Sequence, residues 1–374
     1  MVSLARKNLL HDRLRFAITV SGVAFAVTLV LVQVGLFVGL LDKSTVTIEH
    51  CSADLWVTSK RTPNVDFAHA FPETNVLRVR GVPGVERADN LIVQFMNIQL
   101  PTGAEEGSLV YALEDFTAWN LPWRVNEGDV RDLKRGNNIL MDRSAERRYG
   151  PFAVGEYREM LGRRFKIIGT SSEAVSFTTT PIVFMDFKTA QEQLQTLQGK
   201  TQYILVRLAR GVSPQAVTEE IRRRLPYNDV HTRGEWARQS RTYWVVSTGL
   251  GMNMGITVFL GVLVGIVVVA QTLYTSAVEH IKEFGTVKAI GGSNWDIYRI
   301  LGEQALLAAV VGFALGGAIS FSMRPLMARL YLNVLVSPGF VAAVFVGTLL
   351  MCLGAAMLSF RRVASIDPAL VFRA

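Results

Sequence analysis

Four stretches of this 374-residue chain contain no Asp, Glu, Lys or Arg: those between Arg15 and Asp42, Arg241 and Glu279, Glu303 and Arg324, and Arg329 and Arg361. Each is long enough for a helix that crosses the hydrocarbon core of a bilayer, which takes about 20 apolar residues. A water-soluble protein of this size buries a good core without such runs. Residues 42–240, by contrast, mix polar and apolar side chains as an ordinary globular domain does. The sequence therefore predicts a membrane α-helical protein with four transmembrane helices. One large α+β extracytoplasmic domain is inserted between helices 1 and 2.

The expected order is a cytoplasmic N-terminal segment 1–15, helix 1 over 16–41, the inserted domain 42–240, and helix 2 with an outer stalk over 241–278. A cytoplasmic segment 279–299, helix 3 over 300–323, a short outer loop 324–338, helix 4 over 339–360 and a cytoplasmic tail 361–374 follow. Orientation comes from the basic residues. Arg6, Lys7, Arg13 and Arg15 precede helix 1, Lys282, Lys288 and Arg299 lie between helices 2 and 3, and Arg361, Arg362 and Arg373 sit in the tail. The positive-inside rule puts all of these in the cytoplasm; Arg324 and Arg329 are a minority against it. Both termini are therefore expected in the cytoplasm. The run 16–41 exceeds a signal-peptide core of about 7–15 residues and no small-x-small site ends it, so helix 1 is read as uncleaved. These flanks account for much of the net charge of +8, and no nucleic-acid-binding signature accompanies it. Cys51 follows helix 1 and Cys352 lies inside helix 4. Neither an internal disulfide nor a metal site is expected from them.

Within the inserted domain, Asp54–Thr58 reads as a strand, and Leu91–Leu100 and Ser108–Leu113 flank a Pro101–Gly107 turn as a hairpin. Arg164–Gly169, Pro181–Met185 and Gln202–Leu208 add strands. Ser213 suits an N-cap and Pro214 the first position of a helix that carries Val217 and Ile221 inward and ends before Pro226. The expectation is small mixed sheets with helices. His50, His69 and His231 are scattered and form no catalytic constellation. Gly199-Lys200-Thr201 looks like the end of a phosphate loop, but Leu194 stands where that motif needs glycine. Gly249-Leu250-Gly251 through Gly255 resembles a dinucleotide fingerprint loosely; close helix packing explains it better. No catalytic, cofactor-binding or metal-ligating residues are assigned, and the chain is read as a non-enzyme.

Glycines recur four apart at Gly35 and Gly39, Gly251 and Gly255, Gly261 and Gly265, and Gly312 and Gly316. In lipid such faces let backbones approach closely, within one subunit or between two copies. The pair in helix 3 reads as internal packing, whereas helices 1 and 2 leave both options open. Ionisable residues are absent from the centres of the spans, which disfavours an ion-coupled carrier. Glu303 stands at the cytoplasmic mouth of helix 3 as an anchor.

Between helices 2 and 3, the stretch Ser276–Ser293 places Ile281, Phe284, Val287 and Ile290 among charges at helical spacing, with Gly291-Gly292 to stop the helix. This predicts a short amphipathic cytoplasmic helix, either lying on lipid or docking on a cytoplasmic partner. Glu279-x-x-x-Glu283-Phe284-Gly285-x-x-Lys288-Ala289-Ile290-Gly291 resembles the cytoplasmic signature of FtsX-like permeases, the membrane subunits of MacB-type ABC transporters. The opening Ala5-Arg6-Lys7-Asn8-Leu9-Leu10 and the closing Arg361-Arg362-Val363-Ala364-Ser365-Ile366-Asp367-Pro368-Ala369 resemble that family's ends. Ala53-Asp54-Leu55-Trp56-Val57, Asn120-Leu121-Pro122, Met141-Asp142-Arg143-Ser144 and Gln271-Thr272-Leu273-Tyr274-Thr275 are similar to DevC-type exporter permeases. His280-Ile281 departs from the family, whose members often carry basic residues there.

The resemblance implies a permease subunit of an ABC-type exporter that works by mechanotransmission on an amphiphilic or lipid-like substrate. The implied partners are a cytoplasmic ABC ATPase, a second permease copy as a homodimer, a periplasmic adaptor, an outer-membrane channel and membrane lipid. Nucleic acid is not among them. No cofactor is expected in this chain; ATP and Mg would be bound by the ATPase. Glu279, Glu283, Phe284, Gly285, Lys288, Ala289, Gly291 and Gly292 form the expected coupling surface, with Phe284 as the buried anchor. The alternative is a non-transporting FtsX-like mechanotransmitter that activates a cell-wall hydrolase, and a ligand-sensing receptor is the weakest third reading.

Overall fold

A computed structural model describes residues 13–177, 180–279, 286, 293–329, 332 and 334–364. The chain divides into two compact units: a helical bundle made of residues up to Gly39 and from Gly251 onward, and an inserted domain, Leu40–Leu250.

Among the described residues, the bundle has four helices long and apolar enough to cross a membrane. Span 1 is Arg13–Lys43, span 2 Leu250–Glu279, span 3 Ile297–Arg329 and span 4 Pro338–Ser359. The helix carrying span 3 begins at Asn294 and continues through Pro325 to Arg329. Span 1 is the most buried of the four. Glycine is the reason it can be. A Cβ on Gly312 would lie 2.6 Å from Val23, and one on Gly316 would lie 2.6 Å from the Ala24 carbonyl oxygen. On the facing span, a Cβ on Gly261 would meet Leu29 at 2.9 Å and one on Gly265 would meet Ala26 at 3.0 Å. Near the far end, a Cβ on Gly35 would meet Val334 at 2.6 Å, and the Gly35 carbonyl accepts the Leu335 amide at 3.0 Å. The Thr28 hydroxyl donates to the Gly316 carbonyl at 3.1 Å. A core of Val23, Val27, Leu31, Val269, Leu273, Ala305, Ala309 and Cys352 fills the centre. Gly255 differs: a Cβ there meets nothing within 4 Å.

The inserted domain has helices α1 (Val46–His50), α2 (Asn75–Arg80), α3 (Glu146–Tyr149), α4 (Phe187–Gln193), α5 (Pro214–Arg224) and α6 (Arg233–Thr242). Its strands are β1 (Leu55–Ser59), β2 (Phe71–Pro72), β3 (Val85–Gln99), β4 (Glu105–Leu113), β5 (Val125–Glu127), β6 (Asn138–Asp142), β7 (Tyr157–Met160), β8 (Arg163–Ser171), β9 (Ile182–Asp186), β10 (Lys200–Thr201), β11 (Tyr203–Leu208) and β12 (Asn228–Thr232). Ten strands join one mixed sheet in the order β12-β1-β11-β3-β4-β9-β6-β8-β5, with β7 pairing β3 and β8; β2 and β10 pair separately. The small separate sheets expected from sequence are therefore mostly one sheet. The fifteen-residue β3 is what unites them, because its first half pairs with β11 and its second half with β4.

Both faces of the central strands are covered, so those strands read as continuous apolar runs in sequence. Side chains alternate between faces. Trp56, Tyr203, Leu205, Leu109, Tyr111, Leu113 and Phe184 point into one core. Their neighbours Leu55, Val57, Ile204 and Val206 face a second core under α2 and α5, and Val110, Ala112, Val183 and Met185 face a third under α4. The hairpin closes at Gln99 opposite Glu105, so Glu105–Gly107 belong to the strand rather than the turn. Ser213 has the extended backbone of an N-cap, but its hydroxyl donates to Gln215 at 2.9 Å and makes no cap bond. Lys200 and Thr201 pair with Pro72 and Phe71, as strand residues rather than a phosphate loop.

Gly316 and Gly317 test the packing of span 1 against each other. Gly316→Val drives a side chain into the Ala24 carbonyl and is expected to cost about 1–3 kcal/mol. Gly317→Val places its Cβ where nothing lies within 4 Å and is expected to be tolerated. Thermal midpoints of the two variants in detergent check the difference.

Candidate coupling site

Among the expected coupling residues, Glu279 is described. Glu283, Phe284, Gly285, Lys288, Ala289, Gly291 and Gly292 lie outside the described residues, as do the opening motif and the closing motif from Ser365 onward. Glu279 ends span 2, and its carboxylate is engaged by the Arg15 guanidinium at the start of span 1. Further along the same two helices the hydroxyls of Thr19 and Thr272 meet at 2.9 Å. Beyond them a Cβ on Gly22 would lie 2.5 Å from Val268. Arg15, Thr19 and Gly22 follow a four-then-three spacing, which places them on one helix face. The two spans are thus joined side by side at this end by an ion pair, a hydroxyl contact and a glycine. Ala277 packs on Ile297 and Leu301, which ties the same end of span 2 to the start of span 3. Glu303 lies 3.6 Å from Arg299, one turn away on its own helix.

A separate set of contacts lies within the inserted domain, among the elements next to its two chain connections. Here α1 follows span 1, and α6 precedes span 2. Arg241 of α6 pairs with Glu49 of α1. Thr232 and Glu235 form a reciprocal capping box that fixes the start of α6. A loop over 116–123 clasps the end of α1. His50 stacks on Trp123 with ring centroids 4.6 Å apart, and the Asn120 amide donates to the His50 carbonyl at 3.0 Å. The Ser52 amide donates to the Trp119 carbonyl at 3.0 Å, and the Arg207 guanidinium donates to the Ser52 hydroxyl at 2.9 Å and to the Ala118 carbonyl. His231 stacks on Trp236 of α6, and burial lowers its pKa. After α6 a π-helical turn, Tyr243–Ser247, leads to Gly249 at φ +71°. Helical geometry therefore breaks between α6 and span 2, and glycine supplies the left-handed conformation the break uses.

The loop is itself anchored through β3. Asp89, buried on that strand, accepts hydrogen bonds from Arg80 at 3.1 Å, Arg87 at 2.7 Å and the Trp119 indole at 2.8 Å. Arg87 also reaches Asp115 at 2.7 Å. Burial alone would raise Asp115, but hydrogen bonds from Thr117 and Arg87 outweigh it and hold the carboxyl at about 2. Asp142 is equally structural, accepting from Ser144, Ser171 and Ala174 at 2.9–3.0 Å. Of the Gln271–Thr275 motif, Thr272 makes the contact to span 1, Leu273 is buried in the bundle core, and Tyr274 packs beside Ala277. Sequence reasoning did not assign Arg15 and Thr19; the signal available was that Arg15 and Glu279 each bound a charge-free run.

Both cysteines are free and buried. No cluster of His, Cys, Asp or Glu able to hold a metal ion occurs among the described residues.

The model of the MacB-like periplasmic core domain matches residues 16–224, and that of the FtsX-like permease C-terminal matches residues 255–368. The chain belongs to the MacB-like periplasmic core domain family. It is an ABC transporter permease of the MacB/FtsX type and a membrane protein. An uncharacterized ABC transporter permease of Mycobacterium bovis is 26% identical over 361 residues, which cover 96% of this chain and 95% of that protein. The macrolide export ATP-binding/permease protein MacB of Nitrosomonas europaea is 20% identical over 378 residues, covering 95% of this chain and 56% of that longer protein. Among solved structures, the periplasmic region of MacB from Actinobacillus actinomycetemcomitans aligns with 50% of this chain and 92% of its own, at 10% identity and a TM-score of 0.40.

One buried acid of the inserted domain sets a pH dependence. Burial pushes Asp66 up to about 7 from 3.8, beside the buried phenols Tyr111 and Tyr203. For an acid whose folded pKa is raised, the unfolded chain loses its proton first as pH rises. The stability it contributes is therefore present below about 4 and is lost between about 4 and 7, on the order of 4 kcal/mol for three pKa units. Asp66→Asn is expected to raise the thermal midpoint at pH 8 and to flatten its fall between pH 5 and 8. An unchanged slope in the variant contradicts the assignment.

Proposed function

We propose that this permease is the mechanotransmitting subunit of an ABC-type exporter. A separate cytoplasmic ATPase closes on ATP and moves the segment 279–292. Spans 1 and 2 carry that displacement to the inserted domain, which expels an amphiphilic or lipid-like substrate on the outer side. The observation that carries this reading is the bracing of spans 1 and 2. Arg15 holds Glu279 where the coupling segment begins, and Glu49 is paired with Arg241 between the two elements that continue from those spans. A displacement applied at residue 279 reaches span 1 as well as span 2, because the pair and the packing above it resist separation. Coupling requires a difference in interaction free energy between two states. Two helices that move together deliver such a difference at both of the points where the chain enters and leaves the inserted domain.

Glu279 acts in this scheme as the brace, and Glu283, Phe284, Gly285, Lys288, Ala289, Gly291 and Gly292 as the surface that meets the ATPase. Phe284 is the apolar anchor, with the charges setting register at the rim. The open face around Gly255 suits a second copy of the chain, while Gly261, Gly265, Gly312 and Gly316 serve packing within one. Assembly with a periplasmic adaptor and an outer-membrane channel completes the exporter in the cytoplasmic membrane of a bacterium, with both termini inside.

Phe284→Asp is expected to abolish permease-stimulated ATP hydrolysis in proteoliposomes containing the partner ATPase, while the variant still inserts in the membrane. Full stimulation by the variant overturns the coupling surface. Co-purification with a cell-wall hydrolase instead of an adaptor favours the non-transporting alternative.

A further inference from the structure

The helix that carries span 3 is longer than the membrane needs. Its charge-free stretch lies between Glu303 and Arg324. At 1.5 Å per residue those roughly 20 residues cover about 30 Å, the thickness of the hydrocarbon core. Packing on span 1 places the same edge independently. A Cβ on Gly312 would touch Val23 and one on Gly316 would touch Val27. Counting back along both helices sets Glu303 level with Leu14, beside the Arg15 that opens the charge-free run of span 1. The span 3 helix nevertheless begins at Asn294, so its first turns lie outside the core. There Trp295 is 69% exposed and stacks on Tyr298 with ring centroids 5.3 Å apart. Tyr298 and the exposed Arg299 follow it at three and four residues, on one side of the helix. Ile297 and Leu301, on the other side, are buried against Ala277.

Lipid does not account for this exposed ring pair. Trp295 precedes Glu303 by eight residues, about 12 Å along the helix axis. The headgroup layer adds only about 5–7 Å on each side of the core, and that layer is where Trp is enriched. A tilt of about 40°, the upper end for spanning helices, still leaves about 9 Å. Helical side chains also lean towards the helix N-terminus, which here points away from the bilayer. The indole is therefore carried past the headgroups into water. Trp, Tyr and Arg are the residue types that most often anchor protein–protein interfaces.

We propose that Trp295, with Tyr298 and Arg299 beside it, is a second docking point for the cytoplasmic ATPase, next to the surface centred on Phe284. Gly292, the last residue of that surface, is three residues before Trp295, so the two are continuous along the chain. The inference rests on the coupling reading above and extends it. The ATPase grips the coupling segment and the foot of span 3 together. Its displacement then enters span 3 directly, through a helix continuous from Asn294 to Arg329, as well as span 2 through Glu279.

Hydroxyl-radical footprinting of the full-length native chain in lipid nanodiscs, with and without saturating partner ATPase, tests this. Tyr227, 82% exposed in the inserted domain, is the open reference, and the fully buried Trp236 is the closed one. The expected result is oxidation at Trp295 close to that at Tyr227 in the permease alone. With the ATPase bound it falls at least threefold while Tyr227 is unchanged. Oxidation as low as that of Trp236 before the ATPase is added overturns the proposal, because lipid, a second copy or the chain itself then covers the ring. Oxidation that stays the same with the ATPase bound overturns it too. Binding supplies a second measurement: Trp295→Ala is expected to weaken ATPase affinity at least tenfold and Trp295→Phe to restore most of it, whereas unchanged affinity in Trp295→Ala counts against the contact. Phe284→Asp separates this proposal from the coupling reading. Full stimulation by that variant with Trp295 still protected removes the Phe284 surface and leaves the Trp295 contact standing. Loss of stimulation with Trp295 unprotected in the native complex removes the Trp295 contact alone.

Discussion

The close approach of span 1 to its neighbours is the contact on which the bundle depends. Lipid offers no hydrophobic gain for bringing apolar helices together, so van der Waals packing and a few hydrogen bonds must do it. Gly312 and Gly316 bring span 3 within reach of the span 1 backbone, and Gly261 and Gly265 bring span 2 against the Leu29 and Ala26 side chains of span 1. Thr28 and Thr19 add hydroxyl contacts to spans 3 and 2. In the proposed mechanism, a pull on span 2 at Glu279 is shared with span 1, which its neighbours enclose. The ion pair with Arg15 adds little energy by itself, since both partners are partly exposed. Its contribution is to fix which two helix ends stay adjacent.

In the inserted domain the comparable element is β3. Its second half is an ordinary apolar strand, but its first half carries Glu86, Arg87, Asp89 and Asn90 through the middle of a sheet. Those groups are tolerated because each buried one has partners. Asp89 takes three donors, and Asn90 donates to Glu114 at 2.8 Å. A buried carboxylate is costly unless paired and hydrogen-bonded, and here the pairing also anchors the loop that grips α1. Stability of the sheet and positioning of α1 thus come from the same residues.

The membrane spans were legible in the sequence because a charge-free apolar run of about 20 residues suits a bilayer-crossing helix and little else. The cores of β1, β4, β9 and β11 were legible as apolar runs. The first half of β3 was not, since its polar residues become compatible with a strand only through Arg80, Glu114 and Asp115, which local pattern does not reveal. The single large sheet was hidden for the same reason, because β3 is the strand that pairs with both β11 and β4. At the candidate site, Glu279 stood out through a family motif, whereas its partner Arg15 lies 264 residues away and could be paired with it only in three dimensions. The positive φ of Gly249, which turns the chain into span 2, is not visible in the glycine pattern over 249–255.

In the proposed mechanism, nucleotide binding by the ATPase moves the inserted domain through spans 1 and 2. The most direct test is a pulsed electron paramagnetic resonance distance between spin labels at Tyr227→Cys in the inserted domain and Phe259→Cys in span 2. It is measured in the reconstituted complex without nucleotide and with ATP trapped by a hydrolysis-deficient ATPase. The mechanism predicts a shift of the distance distribution on trapping. A distribution that stays the same while the trapped state is fully populated contradicts it.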